Sequence, residues 1–173
     1  DSATVRISVP ENAQLGIPLY AAHARDRDSG RNGVVKYRLV SASSGDARLF
    51  SIEPRLGHLT LSRHLDYETA QRHTLVVAAT DTGEPPLSSN LTVLLEVQDV
   101  NDNPPVFERA EYAVTVVESL AVSSQIVQVT AVDLDTGNNA RLTYRLLGLA
   151  DSRSSTSEVF GIFPNSGWLY LRQ

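Results

Sequence analysis

Asp99-Val100-Asn101-Asp102-Asn103-Pro104-Pro105 is the stretch on which the reading of the chain turns. Its seven residues hold two carboxylates, two side-chain amides and a closing pair of prolines. Carboxylates and carbonyls at this density suit Ca²⁺, which takes roughly six to eight oxygen ligands in flexible geometry. The prolines push the residues before them into extended backbone and remove backbone donors, as a stiff connector between two modules requires. Asp, Asn and Pro are also the common formers of a polar turn between strands, and on these seven residues alone both readings stand.

The chain around that stretch is β in character. Thr4 to Val9 alternates apolar and polar residues at period two until Pro10-Glu11-Asn12 interrupts it. Leu19 to Ala24 runs into an acidic, turn-rich loop, Asp26-Arg27-Asp28-Ser29-Gly30-Arg31-Asn32-Gly33, and Val34 to Val40 alternates again. Shorter candidates follow at Leu49 to Ile52 and His58 to Leu61, then an acidic corner at Leu65-Asp66-Tyr67-Glu68. Thr74 to Thr80 and Leu91 to Val97 are strongly β-prone and are parted by Gly83-Glu84-Pro85-Pro86. Seven short strands with turn signals and no helical period describe an all-β, antiparallel Greek-key sandwich of immunoglobulin-like size that ends at Asn103.

Residues 104–173 repeat residues 1–103. Glu118 lies 107 residues after Glu11, and the same offset carries Asp26, Asp28 and Asn32 onto Asp133, Asp135 and Asn139. Tyr37-Arg38-Leu39 maps likewise onto Tyr144-Arg145-Leu146. Beyond an insertion near Ser152 to Ser157 the offset becomes 110, aligning Phe160, Ile162, Gly167, Leu169 and Leu171 with Phe50, Ile52, Gly57, Leu59 and Leu61. A fixed period marks a tandem array of like modules. The counterparts of Asp66 and Glu68 would fall near positions 176 and 178, so the second module is expected to be incomplete at its C-terminal end. Open sheet edges recruit other chains, so that module is expected to be partly ordered, trimmed, or completed by a neighbour.

Composition narrows the function. The 173 residues carry 42% apolar residues, and the net charge of −5 comes from 20 acids against 15 bases, of which Lys36 alone is lysine. That balance disfavours a nucleic-acid or anionic-membrane surface, which needs clustered positive charge. With no cysteine there is neither a disulfide nor a thiolate metal site. The acids sit at strand ends. If the first strand bends at Pro10, then Glu11, Asp66, Glu68, Asp99, Asp102, Asp133 and Asp135 bring seven carboxylates to one junction. Such a cluster repels itself without cations, and about three Ca²⁺ would nearly balance it. An ion clamp at a short linker turns a hinge into a rod.

Pro10-Glu11-Asn12, Asp26-Arg27-Asp28 with Asn32-Gly33, Leu65-Asp66-Tyr67-Glu68, Ala79-Thr80-Asp81 and Asp99-Val100-Asn101-Asp102-Asn103 together resemble the successive calcium motifs of a cadherin extracellular repeat. The resemblance covers residues 1–103 and most of residues 104–173. It implies calcium-dependent cell–cell adhesion on the outer side of the plasma membrane, with other cadherin ectodomains as partners and a membrane-anchored parent. It also implies a ligand set. One ion would use Glu11, Asp66, Glu68 and Asp102; a second Glu11, Glu68, Asp99, the Val100 carbonyl, Asp102 and Asp135. A third would use Asn101, the Asn103 carbonyl, Asp133, Asp135 and the Asn139 carbonyl, and is expected to be weaker because its last ligand would fall near position 191. Asp26, Asp28, Asn32 and Asp81 would serve a linker upstream. The only Trp is Trp168, so the N-terminal Trp of strand-exchanging cadherins is missing. Repeats from within a long cadherin of the Dachsous, Fat or protocadherin kind fit better.

Other readings fare worse. An EF-hand loop needs Gly at its sixth and Glu at its twelfth position. Counted from Asp26 those are Arg31 and Tyr37, and counted from Asp133 they are Asn138 and Tyr144. Paired carboxylates can hydrolyse glycosides, but no apolar pocket is evident to raise one chosen pKa. His23, His58, His64 and His73 are scattered and read as surface or strand residues, without a catalytic motif or a small-molecule substrate site. A non-adhesive spacer within a long ectodomain is the remaining alternative. Asn90-Leu91-Thr92 is an N-glycosylation sequon expected to be exposed, while Tyr37, Tyr144, Phe50 and Phe160 recur at the module period and read as core.

Overall fold

The computed structural model describes residues 3–25, 34–43, 47–147 and 159–173. Asp26, Asp28 and Asn32, and the insertion at 152–157, lie outside the described residues. Two compact units divide the chain, Asp1–Val100 and Asn101–Gln173, with the division inside the 99–105 stretch.

In the first unit a strand occurs at each of the seven expected places, though several ends differ. The strands are β1 (Ala3–Pro10), β2 (Pro18–Ala21), β3 (Lys36–Ala42), β4 (Phe50–Ile52), β5 (His58–Leu61), β6 (Arg72–Thr80) and β7 (Ser88–Gln98). One sheet has the order β1-β7-β6-β3 and the other β2-β5-β4. Period-two patterning sends Leu75 and Val77 of β6 and Val93, Leu95 and Val97 of β7 inward. There they meet Phe50, Leu59 and Leu61 in one core.

The pairing departs from the antiparallel expectation at one place: β1 runs parallel to β7, with Ala3 opposite Leu91 through Pro10 opposite Gln98. Alternation tells which face of a strand is apolar but not which way its neighbour runs. A parallel pair needs a long crossover, and here the whole intervening sandwich provides it. Pro10 is tolerated because β1 is an edge strand and its missing N–H breaks no inner ladder. β2 stops at Ala21, short of the expected Ala24. From Ala22 the backbone leaves the ladder, its N–H donating to the Gly57 carbonyl (2.9 Å), while the Ala24 N–H donates to the Tyr37 hydroxyl (2.9 Å).

The second unit contains β8 (Val106–Phe107), β9 (Gln125–Gln128), β10 (Ala131–Val132), β11 (Phe160–Ile162) and β12 (Trp168–Leu171). They form a two-stranded sheet, β10-β8, and a three-stranded sheet, β11-β12-β9. The sequence repeat reappears bond for bond. Phe160 faces Leu171 as Phe50 faces Leu61. Val129 N–H donates to the Gly167 carbonyl as Ala22 does to Gly57, and Ala131 N–H reaches the Tyr144 hydroxyl as Ala24 reaches that of Tyr37. Gly57 and Gly167 have φ of 68° and 70°, in the left-handed region. A Cβ on Gly57 would stand 2.5 Å from the Ala22 carbonyl oxygen, and one on Gly167 would overlap that of Val129. Shape and φ both demand glycine.

The expectation that no apolar pocket accompanies the acids is corrected. The second unit has an open cavity of about 720 Å³, lined by Phe107, Tyr112, Val127, Leu142, Tyr144 and Leu169 among others. Its walls come from segments far apart in sequence, which is why periodicity did not disclose it.

His73, expected at the surface or on a strand, lies on β6 and is only 2% exposed. Its ring meets Phe50 edge-on at 5.3 Å. Burial disfavours the imidazolium and holds the pKa below the ordinary 6.5. The unfolded chain therefore takes up this proton at a higher pH than the native one. The contribution is at full strength above the unfolded value and is lost as pH falls from there toward the native pKa. In chelator, the thermal midpoint of the first unit should decline from pH 7 to pH 5 more steeply in the wild type than in His73→Phe; equal slopes would refute this. Gly57→Ala should destabilise the same unit by about 1–3 kcal/mol in urea unfolding, through the strained φ and the clash.

Candidate metal centre

In the first unit the acids are placed by the ends of β1, β6 and β7. Glu11 follows the last residue of β1, and its N–H donates to the Gln98 carbonyl at 3.1 Å. Its side chain turns back into the unit and is 3% exposed. Oε2 accepts the Tyr67 N–H and Oε1 the Val100 N–H, each at 2.8 Å. One carboxylate thus ties the Leu65–Glu68 corner to the start of the linker. Glu68 brings a carboxylate oxygen within 4.8 Å of Glu11 and likewise of Asp99. Two unit charges at about 4 Å repel by about 1 kcal/mol in water and about 4 kcal/mol at the effective dielectric of a protein surface.

Asp66 caps a turn. Its Oδ2 accepts the Thr69 hydroxyl, its Oδ1 lies 3.4 Å from the Thr69 N–H, and its carbonyl accepts the Ala70 N–H at 2.9 Å. The Thr69 hydroxyl, ahead of weaker backbone and Glu68 contributions, holds the Asp66 carboxyl below its ordinary range. Sequence reasoning missed Thr69. An Asp three residues before a Thr was the available signal, since such a pair closes local turns. Asp81 is also braced locally, its Oδ1 accepting the N–H of Gly83 (2.9 Å) and of Leu87 (3.0 Å).

In the second unit Asp135 is 5% exposed. Its Oδ1 accepts from the Asn103 backbone N–H at 3.2 Å and from the Asn103 side-chain amide at 2.7 Å. That amide also donates to Asp102 at 2.8 Å. Asp133 Oδ1 accepts the Asp135 N–H at 3.0 Å, an Asx turn that draws the two acids together. Asn139 closes the next turn, its N–H donating to the Thr136 carbonyl at 3.1 Å, with Gly137 at φ 56°. Asn101 and Asp102 are exposed.

The donor set fits a hard divalent cation. Among the described residues, Glu11, Asp133 and Asp135 take their hydrogen bonds from backbone N–H groups and an amide. Carboxylates that accept amide hydrogen bonds and keep oxygen lone pairs to spare are the hard-oxygen ligands Ca²⁺ takes.

A cadherin-domain family model matches residues 5–98. The chain belongs to the cadherin family. It is 60% identical to Protein dachsous of Drosophila melanogaster over 99% of its length, and 36% identical to human Protocadherin Fat 4 over 92%. It spans only 5% and 3% of those proteins. Among solved structures it is similar to repeats EC22–24 of mouse Cadherin-23, with a TM-score of 0.85, 34% identity, and coverage of 99% of this chain and 51% of that one. These cadherin repeats are thus of the Dachsous and Fat kind, and the all-β architecture is that of their relatives.

In this cadherin repeat the Glu11 bridge should matter even without an ion. Glu11→Ala leaves the Tyr67 and Val100 N–H groups without their acceptor. It should cost the first unit about 2 kcal/mol in urea unfolding performed in chelator. An unchanged midpoint would show that the bridge carries no stability.

Proposed function

We propose that the chain is a pair of calcium-binding adhesion repeats, and that Asp99 to Asn103 is the linker at which ions stiffen a cell-surface ectodomain. The observation that carries this reading is the Glu11 carboxylate, buried and held by the amides of Tyr67 and Val100, one in the acidic corner and the other in the linker. Glu11, Asp66, Glu68 and Asp99 belong to the first unit, and Asn101, Asp102, Asp133 and Asp135 to the second. The carbonyls of Val100, Asn103 and Asn139 would add neutral oxygens.

Bound Ca²⁺ would supply the positive charge that offsets carboxylate repulsion and would join donors contributed by both units. The residues supply the rest. Two amides set the direction of Glu11, Asn103 steers Asp135, and the Thr69 hydroxyl keeps Asp66 ionised. Pro104 and Pro105 limit the backbone freedom that ion binding would otherwise have to remove. Partners on this reading are other cadherin ectodomains, met outside the cell by a membrane-anchored parent. The work is binding, without a substrate or a catalytic step.

Thermal unfolding with millimolar Ca²⁺ and again with chelator tests this directly. A ligand confined to the native state at a hundred times its Kd adds about 2.7 kcal/mol, or several degrees for a unit of this size. The rise should shrink in Asp102→Ala and in Asp135→Asn. Identical midpoints with and without Ca²⁺ would overturn the proposal.

A further inference from the structure

The outer face of the β1-β7-β6-β3 sheet holds a modification signal that ion binding does not use. Asn90-Leu91-Thr92 is the only Asn-x-Ser/Thr triplet in the chain. On β7 the residues Leu91, Val93, Leu95 and Val97 turn toward the core, so Asn90 and Thr92 share the opposite, solvent-facing side. Asn90 is exposed. In register it stands opposite Ala78 of β6, which in turn stands opposite Arg38 of β3. Ala78 is 1% exposed, a methyl sunk between longer neighbours, so the strand beside Asn90 raises no bulky side chain. The next row, Thr92 against Val76, is small and uncharged. Thr80 and Ser88 at the adjoining end satisfy each other at 2.8 Å.

We propose that Asn90 carries an N-linked oligosaccharide that lies over this face and removes it from protein contact. In the transfer, Asn90 Nδ2 forms a bond to the anomeric carbon of a lipid-pyrophosphate-linked oligosaccharide. The carbon–oxygen bond to the pyrophosphate breaks, the lipid pyrophosphate leaves, and Nδ2 gives up one proton; nothing is oxidised or reduced. The inference rests on the extracellular part of the functional reading, which supplies the secretory route, and is independent of calcium. Its consequence is that adhesive contacts of the first repeat are made by surfaces other than this sheet face.

The full 173-residue chain, expressed behind a secretory signal in mammalian cells, is the protein to test, with total cell protein read as well as medium so that secretion is not required. Peptide mapping should show Asn90 converted to Asp by peptide-N-glycosidase. The glycan should vanish in Thr92→Ala and persist in Thr92→Ser, which keeps the triplet. An unmodified Asn90 in the wild type overturns the proposal. Coverage has its own probe in Lys36, the sole lysine, on β3 two strands from β7 and roughly 10 Å away across the sheet. Acylation of Lys36 should speed up severalfold once the glycan is removed from the native protein. Equal rates would overturn the covering role. Both readouts stand whether or not Ca²⁺ shifts the melting temperature, so the two proposals fail separately.

Discussion

The bond pair that Glu11 makes to the Tyr67 and Val100 amides is the constraint on which the acidic end of the first unit depends. A carboxylate 3% exposed has lost most of its water, and two backbone N–H groups at 2.8 Å take the place of that water. Because those groups belong to the corner after β5 and to the segment after β7, one carboxylate secures both. Pro10 makes this possible. It ends β1 on the sheet edge and lets the next residue turn inward.

Most of the fold was legible because this chain is periodic at two scales. Alternation, β-propensity and turn residues placed the seven strands of the first unit, and the offset of 107 found structural equivalents as fine as the Tyr37 and Tyr144 hydroxyls, each bonded to an N–H thirteen residues earlier. What stayed hidden depends on direction and on distant surfaces. The parallel course of β1, the early end of β2, and the cavity lined by Phe107, Tyr112 and Leu169 are not written in any local pattern. At the candidate metal centre the acids were readable by type and spacing. Their partners were not, because a backbone N–H such as that of Val100 has no letter of its own in the sequence. His73 shows the converse. Its letter was plain, but its burial against Phe50 comes from its inward position in β6.

Scaffold and acids occupy different parts of each unit, and this separation lets both exist. The core of the first unit is aliphatic and aromatic, with His73 as the buried base among the described residues, while the acids lie where strands end and backbone donors are free of the ladder. Interior carboxylates without donors would be costly to ionise. At strand ends, Asx turns at Asp81 and Asp133 and the Thr69 hydroxyl at Asp66 supply the donors locally, and glycines at 57 and 167 close turns elsewhere without side chains in the way.

At the strand ends, Glu11, Asp133 and Asp135 take hydrogen bonds from backbone N–H groups. The bases are nearly all arginines, and one ion pair, Arg72 with Glu96 at 3.8 Å, is exposed and lies on the solvent face of the long sheet. Such a pair contributes little to stability. Asp66 and Asp133 are held by turns closed nearby in sequence, whereas Glu11 is held by N–H groups 56 and 89 residues away. Carboxylates oriented in advance would leave less ordering for a bound cation to impose, the property that the proposed calcium linker needs.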